Sequence, residues 1–138
     1  VAGHPLPQNG TVIGNIGRSS RDRKKMAVVD DAHGKHAVTH FRTIDRLNSA
    51  TLVECRLETG RTHQVRVHMA HIGHPLLGDP AYNRGKSVHR DLLNRLDFRR
   101  QALHAAHLGF IHPVTCNPIA LNSELPRDMQ ELLSRLRV

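Results

Sequence analysis

The sequence predicts an α+β domain with a mixed, mainly antiparallel sheet and flanking helices. Three observations support this fold class. Apolar residues alternate along residues 51–57, the spacing changes to that of a helix after residue 62, and a stripe of apolar side chains ends the chain. The 138 residues match one ordinary domain. This length can bury a core without disulfides or a structural metal.

The first quarter of the chain predicts loops with two short strands. Residues 1–17 are rich in glycine and proline, so we expect loops around one strand at residues 11–13. Residues 18–25 are basic and polar, which favours an exposed loop. Residues 26–29 predict a second short strand.

A hairpin is predicted in the middle of the chain. Residues 37–47 and 51–57 have strand composition, and Asn48 and Ser49 between them favour a turn. A helical interpretation of residues 51–57 is weaker, because threonine, valine and cysteine are poor helix formers.

A helix is predicted next. Val65, Met69 and Ile72 recur at spacings of four and three residues. Thr62 is the expected N-cap, and Gly73 the expected residue after the helix end.

The last third predicts a short helix at residues 91–97, a strand at residues 104–112 and a final helix from Pro126. Apolar residues at helical spacing predict the buried face of that final helix: Leu125, Met129, Leu132, Leu133 and Leu136.

The composition favours a polyanionic partner. Twenty Lys and Arg against twelve Asp and Glu give a formal charge of +8, which suits nucleic acid or an acidic membrane surface. A soluble protein that is merely basic is the alternative. The sequence contains no run of about eighteen apolar residues, the length that a membrane-spanning helix needs. Cys55 and Cys116 form no CxxC pair, so we expect neither a zinc ribbon nor a disulfide framework, and a reducing cytoplasm as the compartment.

Residues 58–68 carry the densest set of functional groups. Arg61, His63, Gln64 and Arg66 lie in or near the first helical turn, where free backbone N–H groups and the helix dipole favour anions. A carboxylate or an RNA phosphate is the natural occupant. A solvated, charged helix start is the alternative that composition alone leaves open.

The histidines raise the alternative of a metal site. His68 and His71 are three residues apart and could chelate a metal from one helix. No HExxH motif is present, and no acidic residue lies among His63, His68, His71 and His74. We therefore expect no metal, and imidazoles that form hydrogen bonds or contact RNA.

Residues 57–68 (LETGRTHQVRVH) and 73–80 (GHPLLGDP) together resemble the signature of RluA-type pseudouridine synthases. Residues 100–105 (RQALHA) resemble a later block of that family, and the similarity extends over essentially the whole chain. Within the family, the ribosomal large-subunit enzymes are the most similar subgroup.

The resemblance implies an enzyme that isomerises uridine in RNA, with large-subunit rRNA as the expected partner. It implies a flipped base, an aspartate nucleophile and no metal or organic cofactor. By motif match, Arg66 would pair with that aspartate and keep it ionised. His63 and Gln64 would line the same pocket. Arg61 would contact phosphates. The basic loop would do the same through Arg18, Lys24 and Lys25.

The chain departs from the family pattern at the nucleophile. The family's HRLDxxTSG motif is absent, and residues 95–97 (RLD) lack its context and follow the Arg66 block. We therefore expect residues 1–138 to be the C-terminal portion of a catalytic domain, without the upstream half that carries the nucleophile and without any N-terminal RNA-binding domain. Such a portion should be inactive alone and could self-associate through exposed sheet edges. The alternatives are a non-catalytic basic RNA-binding module and, more weakly, a histidine-rich metalloprotein.

Overall fold

The computed structural model describes residues 1–22, 24–30, 32–83 and 88–137. Within these residues the chain forms seven strands in three antiparallel sheets, together with three helices. The α+β prediction is confirmed. No helix in the described part of the chain is long and apolar enough to cross a membrane.

The largest sheet has three strands in the order β1-β4-β5. Strand β1 covers Asn9–Ile13, β4 covers Val38–Leu47 and β5 covers Ala50–Leu57. The predicted hairpin between β4 and β5 is present, and Ser49 in its turn has a φ of 54°. One face of this sheet packs on the core because apolar and polar residues alternate along the strands.

A second, two-stranded sheet pairs β2 (Ile16–Arg18) with β3 (Met26–Val28). Strand β3 was predicted, whereas β2 lies in a stretch that was expected to be loop. The difference has a local cause. Strand β2 is only three residues long and contains Gly17, so it carries too little alternation to signal a strand.

Helix α1 covers Gln64–His71 and packs against β3 and β4. Its predicted N-cap is wrong, because the cap residue is His63, with a φ of 56° and no capping hydrogen bond from its side chain. Its predicted end is confirmed. Gly73 has a φ of 87°, and the N–H groups of Gly73 and His74 donate to the carbonyls of Ala70 and Met69 at 3.0 and 2.9 Å. This pattern of bonds is a Schellman motif.

The last part of the chain contains α2 (Arg90–Arg95), β6 (His107–Ile111), β7 (Pro118–Asn122) and α3 (Arg127–Leu136). Only β7 was not predicted. The apolar face of α3 packs in one cluster with the β4–β5 turn, the segment after α1 and the segment after α2. Its buried side chains are Met129, Leu132, Leu133, Leu136, Leu47, Ala50, Leu77 and Phe98.

The β6–β7 hairpin is the least buried element. All five residues of β6 are exposed, and apolar side chains such as Leu108 (56% exposed) and Phe110 (42%) reach solvent. Cys116, in the turn of this hairpin, and Cys55 are both free thiols. Burial raises the pKa of the Cys55 thiol to about 11.

Candidate active site

Gln64 joins the start of α1 to strand β4 and to the turn that precedes the helix. Its Oε1 accepts hydrogen bonds from the Thr59 hydroxyl (2.6 Å) and the Arg61 N–H (3.0 Å). Its Nε2 donates to the Val38 carbonyl and to Thr39 Oγ1, both at 2.9 Å. The side chain is 3% exposed. Gln64 was predicted to line the substrate pocket, but the structure places it inside the fold with its hydrogen bonds used internally, so it fixes the helix start.

The same network continues to His68, which is completely buried. Thr39 Oγ1 accepts from Gln64, so its hydroxyl donates to His68 Nδ1 at 2.8 Å, and His68 Nε2 donates to the Gly14 carbonyl at 2.9 Å. These bonds select the neutral imidazole with its proton on Nε2. Burial holds the pKa of His68 below its ordinary value, because a charged imidazole is poorly solvated there.

Arg66 forms a bidentate ion pair with Asp79, thirteen residues further along the chain. Its Nε and Nη2 donate to the two carboxylate oxygens at 2.9 and 2.8 Å. The Arg66 side chain is 12% exposed, and the Asp79 side chain is fully buried. Burial raises the pKa of Asp79, but the bonds from Arg66 and from two backbone N–H groups outweigh it and the pKa falls below its usual value. Arg66 was expected to pair with an aspartate outside this chain. That expectation stays a prediction, and Asp79 is a second carboxylate that the sequence did not reveal.

Tyr82 links this ion pair to the β2–β3 sheet. The Cζ of Arg66 lies 5.1 Å from the centre of the Tyr82 ring, which suits a cation–π contact. The Tyr82 hydroxyl accepts from the Met26 N–H (2.9 Å) and lies 2.8 Å from His63 Nδ1. The bond between the Tyr82 hydroxyl and the His63 ring ties this tyrosine to the start of α1. Desolvation and the charge of Arg66 lower the pKa of His63.

A cleft of about 460 Å³ lies beside the start of α1, between the β2–β3 sheet and the turn at residues 60–62. Three cationic side chains line it, those of Arg18, Lys35 and Arg61. The Nε of Arg61 donates to the His36 carbonyl at 2.8 Å, which fixes the guanidinium at the cleft wall.

The remaining predicted basic residues differ in accessibility. The side chain of Lys24 is exposed in the loop between β2 and β3. Lys25 is half-buried, and its Nζ donates to the Ala81 carbonyl at 2.7 Å. Lys25 therefore ties the loop after α1 to the β2–β3 sheet. In the described ranges, no three histidine, cysteine, aspartate or glutamate residues could hold a metal ion together.

Residues 4–71 match the sequence profile of the family described as RNA pseudouridylate synthase. The whole chain is 58% identical to the ribosomal large subunit pseudouridine synthase D of Zymomonas mobilis. The chain belongs to the RNA pseudouridylate synthase family. Another member, the uncharacterized RNA pseudouridine synthase YlyB of Bacillus subtilis, is 50% identical over 94% of this chain.

Solved pseudouridylate synthase domains share the fold. The solved structure titled "Human RNA Pseudouridylate Synthase Domain Containing 4" superposes with a TM-score of 0.73 at 28% identity. The match covers 99% of this chain and 59% of the human chain. The structure titled "Human RNA Pseudouridylate Synthase Domain Containing 1" gives a TM-score of 0.69 at 25% identity. The chain spans 43% of the Zymomonas relative and 39% of the Bacillus relative.

Proposed function

We propose that the protein containing this chain isomerises uridine to pseudouridine in RNA, and that large-subunit rRNA is its substrate. The observation that carries the proposal is Arg66, whose Nε and Nη2 are bound by Asp79, in a chain of the pseudouridylate synthase family. The substrate follows from relatives named ribosomal large subunit pseudouridine synthase D in Zymomonas mobilis and Xanthomonas campestris.

The proposed reaction needs an ionised carboxylate and a uracil base that has been flipped out of the RNA stack. The N1–C1′ bond of the flipped uridine breaks, a C5–C1′ bond forms, the proton on C5 is lost and N1 gains one, so no co-reactant is consumed. Arg66 Nη1 donates to no residue that the structure describes. A nucleophilic aspartate from another part of the protein could bind there, and the guanidinium would keep it ionised at neutral pH.

The cationic cleft supports the RNA-binding part of the proposal. Arg18, Lys35 and Arg61 present positive charge along its walls, as backbone phosphates require. Lys24 extends this charge on the neighbouring loop. These side chains would hold RNA of many sequences, while the choice of uridine depends on contacts elsewhere.

The intact protein and a transcript of large-subunit rRNA test this proposal. We expect Arg66→Ala to lower kcat at saturating RNA by at least about 100-fold, because removing one group that stabilises charge in the transition state typically costs a factor of this size. Its RNA affinity should change less than about threefold, because many other cations remain. Arg18→Ala is the control: affinity should weaken and its salt dependence should fall, with kcat retained. Equal losses of affinity and kcat in Arg66→Ala would contradict the assignment.

A non-catalytic RNA-binding module is the second candidate, and the position of Asp79 favours it. The carboxylate bound to Arg66 within the described residues is fully buried and ion-paired, so it cannot attack a nucleoside. Residues 1–138 alone should therefore bind RNA without forming pseudouridine. If the intact protein also binds rRNA and forms no product, the module is correct and the enzyme proposal is wrong.

A further inference from the structure

The buried carboxylate of Asp79 is held by four hydrogen bonds. Its carboxylate accepts two hydrogen bonds from Arg66 and two more from the N–H groups of Ala81 (3.0 Å) and Tyr82 (3.1 Å). We infer that Asp79 is a positioning residue that sets both the direction and the effective charge of Arg66. This inference rests on the proposed function, because it concerns the carboxylate that Arg66 would receive from elsewhere in the protein.

The direction of the guanidinium is fixed on two sides. Asp79 binds the edge formed by Nε and Nη2, and the Tyr82 ring lies against the group at 5.1 Å. A guanidinium is planar, so binding one edge and contacting one face determines where the other edge points. The Nη1 edge is the one left for a second carboxylate. Asp79 cannot drift, because the fully buried side chain is itself held by backbone N–H groups.

The effective charge follows from two carboxylates sharing one cation. An arginine alone lowers the pKa of a neighbouring carboxyl group, whereas a nearby negative charge raises it. Asp79 therefore offsets part of the effect of Arg66 on the second carboxylate. That carboxylate stays ionised at neutral pH yet remains more basic, and so more nucleophilic, than it would be beside an unpaired arginine.

The other titratable groups around the pair would not produce the same effect. Desolvation and the charge of Arg66 lower the pKa of His63 at the start of α1, which disfavours its charged form. The Tyr82 hydroxyl is bound to the Met26 N–H. Lys25 lies on the segment before β3 and donates to the Ala81 carbonyl. Asp79 is thus the group whose negative charge faces Arg66 directly.

The test measures kcat and KM for pseudouridine formation against pH in the intact protein carrying Asp79→Asn. The amide keeps the size of the side chain and removes its charge. We expect kcat to fall by roughly 10- to 100-fold, as for a misplaced catalytic group, with KM for RNA nearly unchanged. We also expect the acidic limb of the kcat profile to move to lower pH by about half a unit or more. A merely structural role would lower the amount of folded enzyme without moving that limb.

Asp128→Asn is the matched control. Asp128 accepts from Nε and Nη2 of Arg100, both at 3.0 Å, in the same bidentate geometry at the surface. This variant should leave kcat and the acidic limb unchanged. Asp79→Glu separates direction from charge, and keeps the inference testable if Asp79→Asn does not fold. It should lower kcat at least about fivefold, because the carboxylate moves by one methylene, and leave the limb in place.

The outcomes distinguish the inference from the function on which it rests. If the unaltered protein forms no pseudouridine, the proposed function is overturned and the inference falls with it. If the unaltered protein is active and Asp79→Asn has the same kcat and acidic limb, the inference alone is overturned. An unchanged kcat in Asp79→Glu would overturn it in the same way.

Discussion

The buried amide of Gln64 allows a direct test of how the fold holds the start of α1. The substitution Gln64→Met keeps the length and approximate volume of the side chain and removes its four hydrogen bonds. We expect the variant to fold with a lower free energy of unfolding. We also expect RNA binding to be retained, because the amide is 3% exposed and cannot reach a ligand.

The expected loss is about 2 kcal/mol. Four hydrogen bonds at about 1 kcal/mol each set an upper value near 4 kcal/mol. Three partners keep a second hydrogen bond after the substitution: Val38, Thr39 and Thr59. The Arg61 N–H loses its partner, but it lies near the surface, where water can replace part of the bond. Burying a thioether in place of an amide offsets a further part of the loss.

Urea unfolding of residues 1–138 at pH 7 measures this loss. His71→Gln is the control, since His71 lies on the exposed side of the same helix, where substitutions change stability by less than about 0.5 kcal/mol. A loss for Gln64→Met no larger than that of the control would refute the reasoning. Weaker RNA affinity with undiminished stability would instead restore the role of Gln64 as an RNA ligand.

Three further predictions follow from particular side chains. The free energy of unfolding should fall as the pH drops below about 6.5, because the unfolded chain binds a proton at His68 that burial excludes from the folded one. The pH slope from urea titrations should be smaller in His68→Asn. In thermal melts, Gly78→Ala should lose more stability than Gly73→Ala: both have positive φ, but only a Cβ at residue 78 would collide with the Arg100 carbonyl oxygen. Residues 1–138 should self-associate through exposed strands and therefore sediment faster as the protein concentration rises. Phe110→Lys on the exposed strand β6 should reduce this concentration dependence. A monomer at all concentrations would argue against exposed-strand pairing.

The elements that were predicted correctly have strong local signals. The β4–β5 hairpin follows from the alternation along residues 51–57 and from the turn residues Asn48 and Ser49, and the buried side chains of α3 follow from a helical stripe. The end of α1 follows from Gly73, because a positive φ is easiest for glycine. Each of these signals lies within about ten residues of the feature that it predicts.

The features that were missed depend on contacts between distant segments. Nothing near Gln64 shows that Thr39, 25 residues earlier, will meet its amide and bury it. The carboxylate of Asp79 meets Arg66 across a turn in which Gly78 has a φ of 74° and the Asp79 N–H donates to the Leu76 carbonyl at 3.3 Å. Residues 73–80 resemble the family signature, but the sequence around Asp79 does not indicate that its carboxylate binds Arg66.

The placement of four donors near the start of α1 explains why the expected single anion site becomes two surfaces. Of these four residues only Gln64 and Arg66 lie within α1, and residues two positions apart on a helix point about 200° apart, so these two side chains face different targets. Gln64 turns inward to β4, while Arg61 lies beside the His36 carbonyl and lines the cleft. His63 and Arg66 are three residues apart on one side, where they meet Tyr82 and Asp79. The helix therefore separates a surface suited to phosphates from a guanidinium suited to a carboxylate. Because of this separation, substitution of Arg61 should weaken RNA binding, whereas substitution of Arg66 should lower the turnover rate.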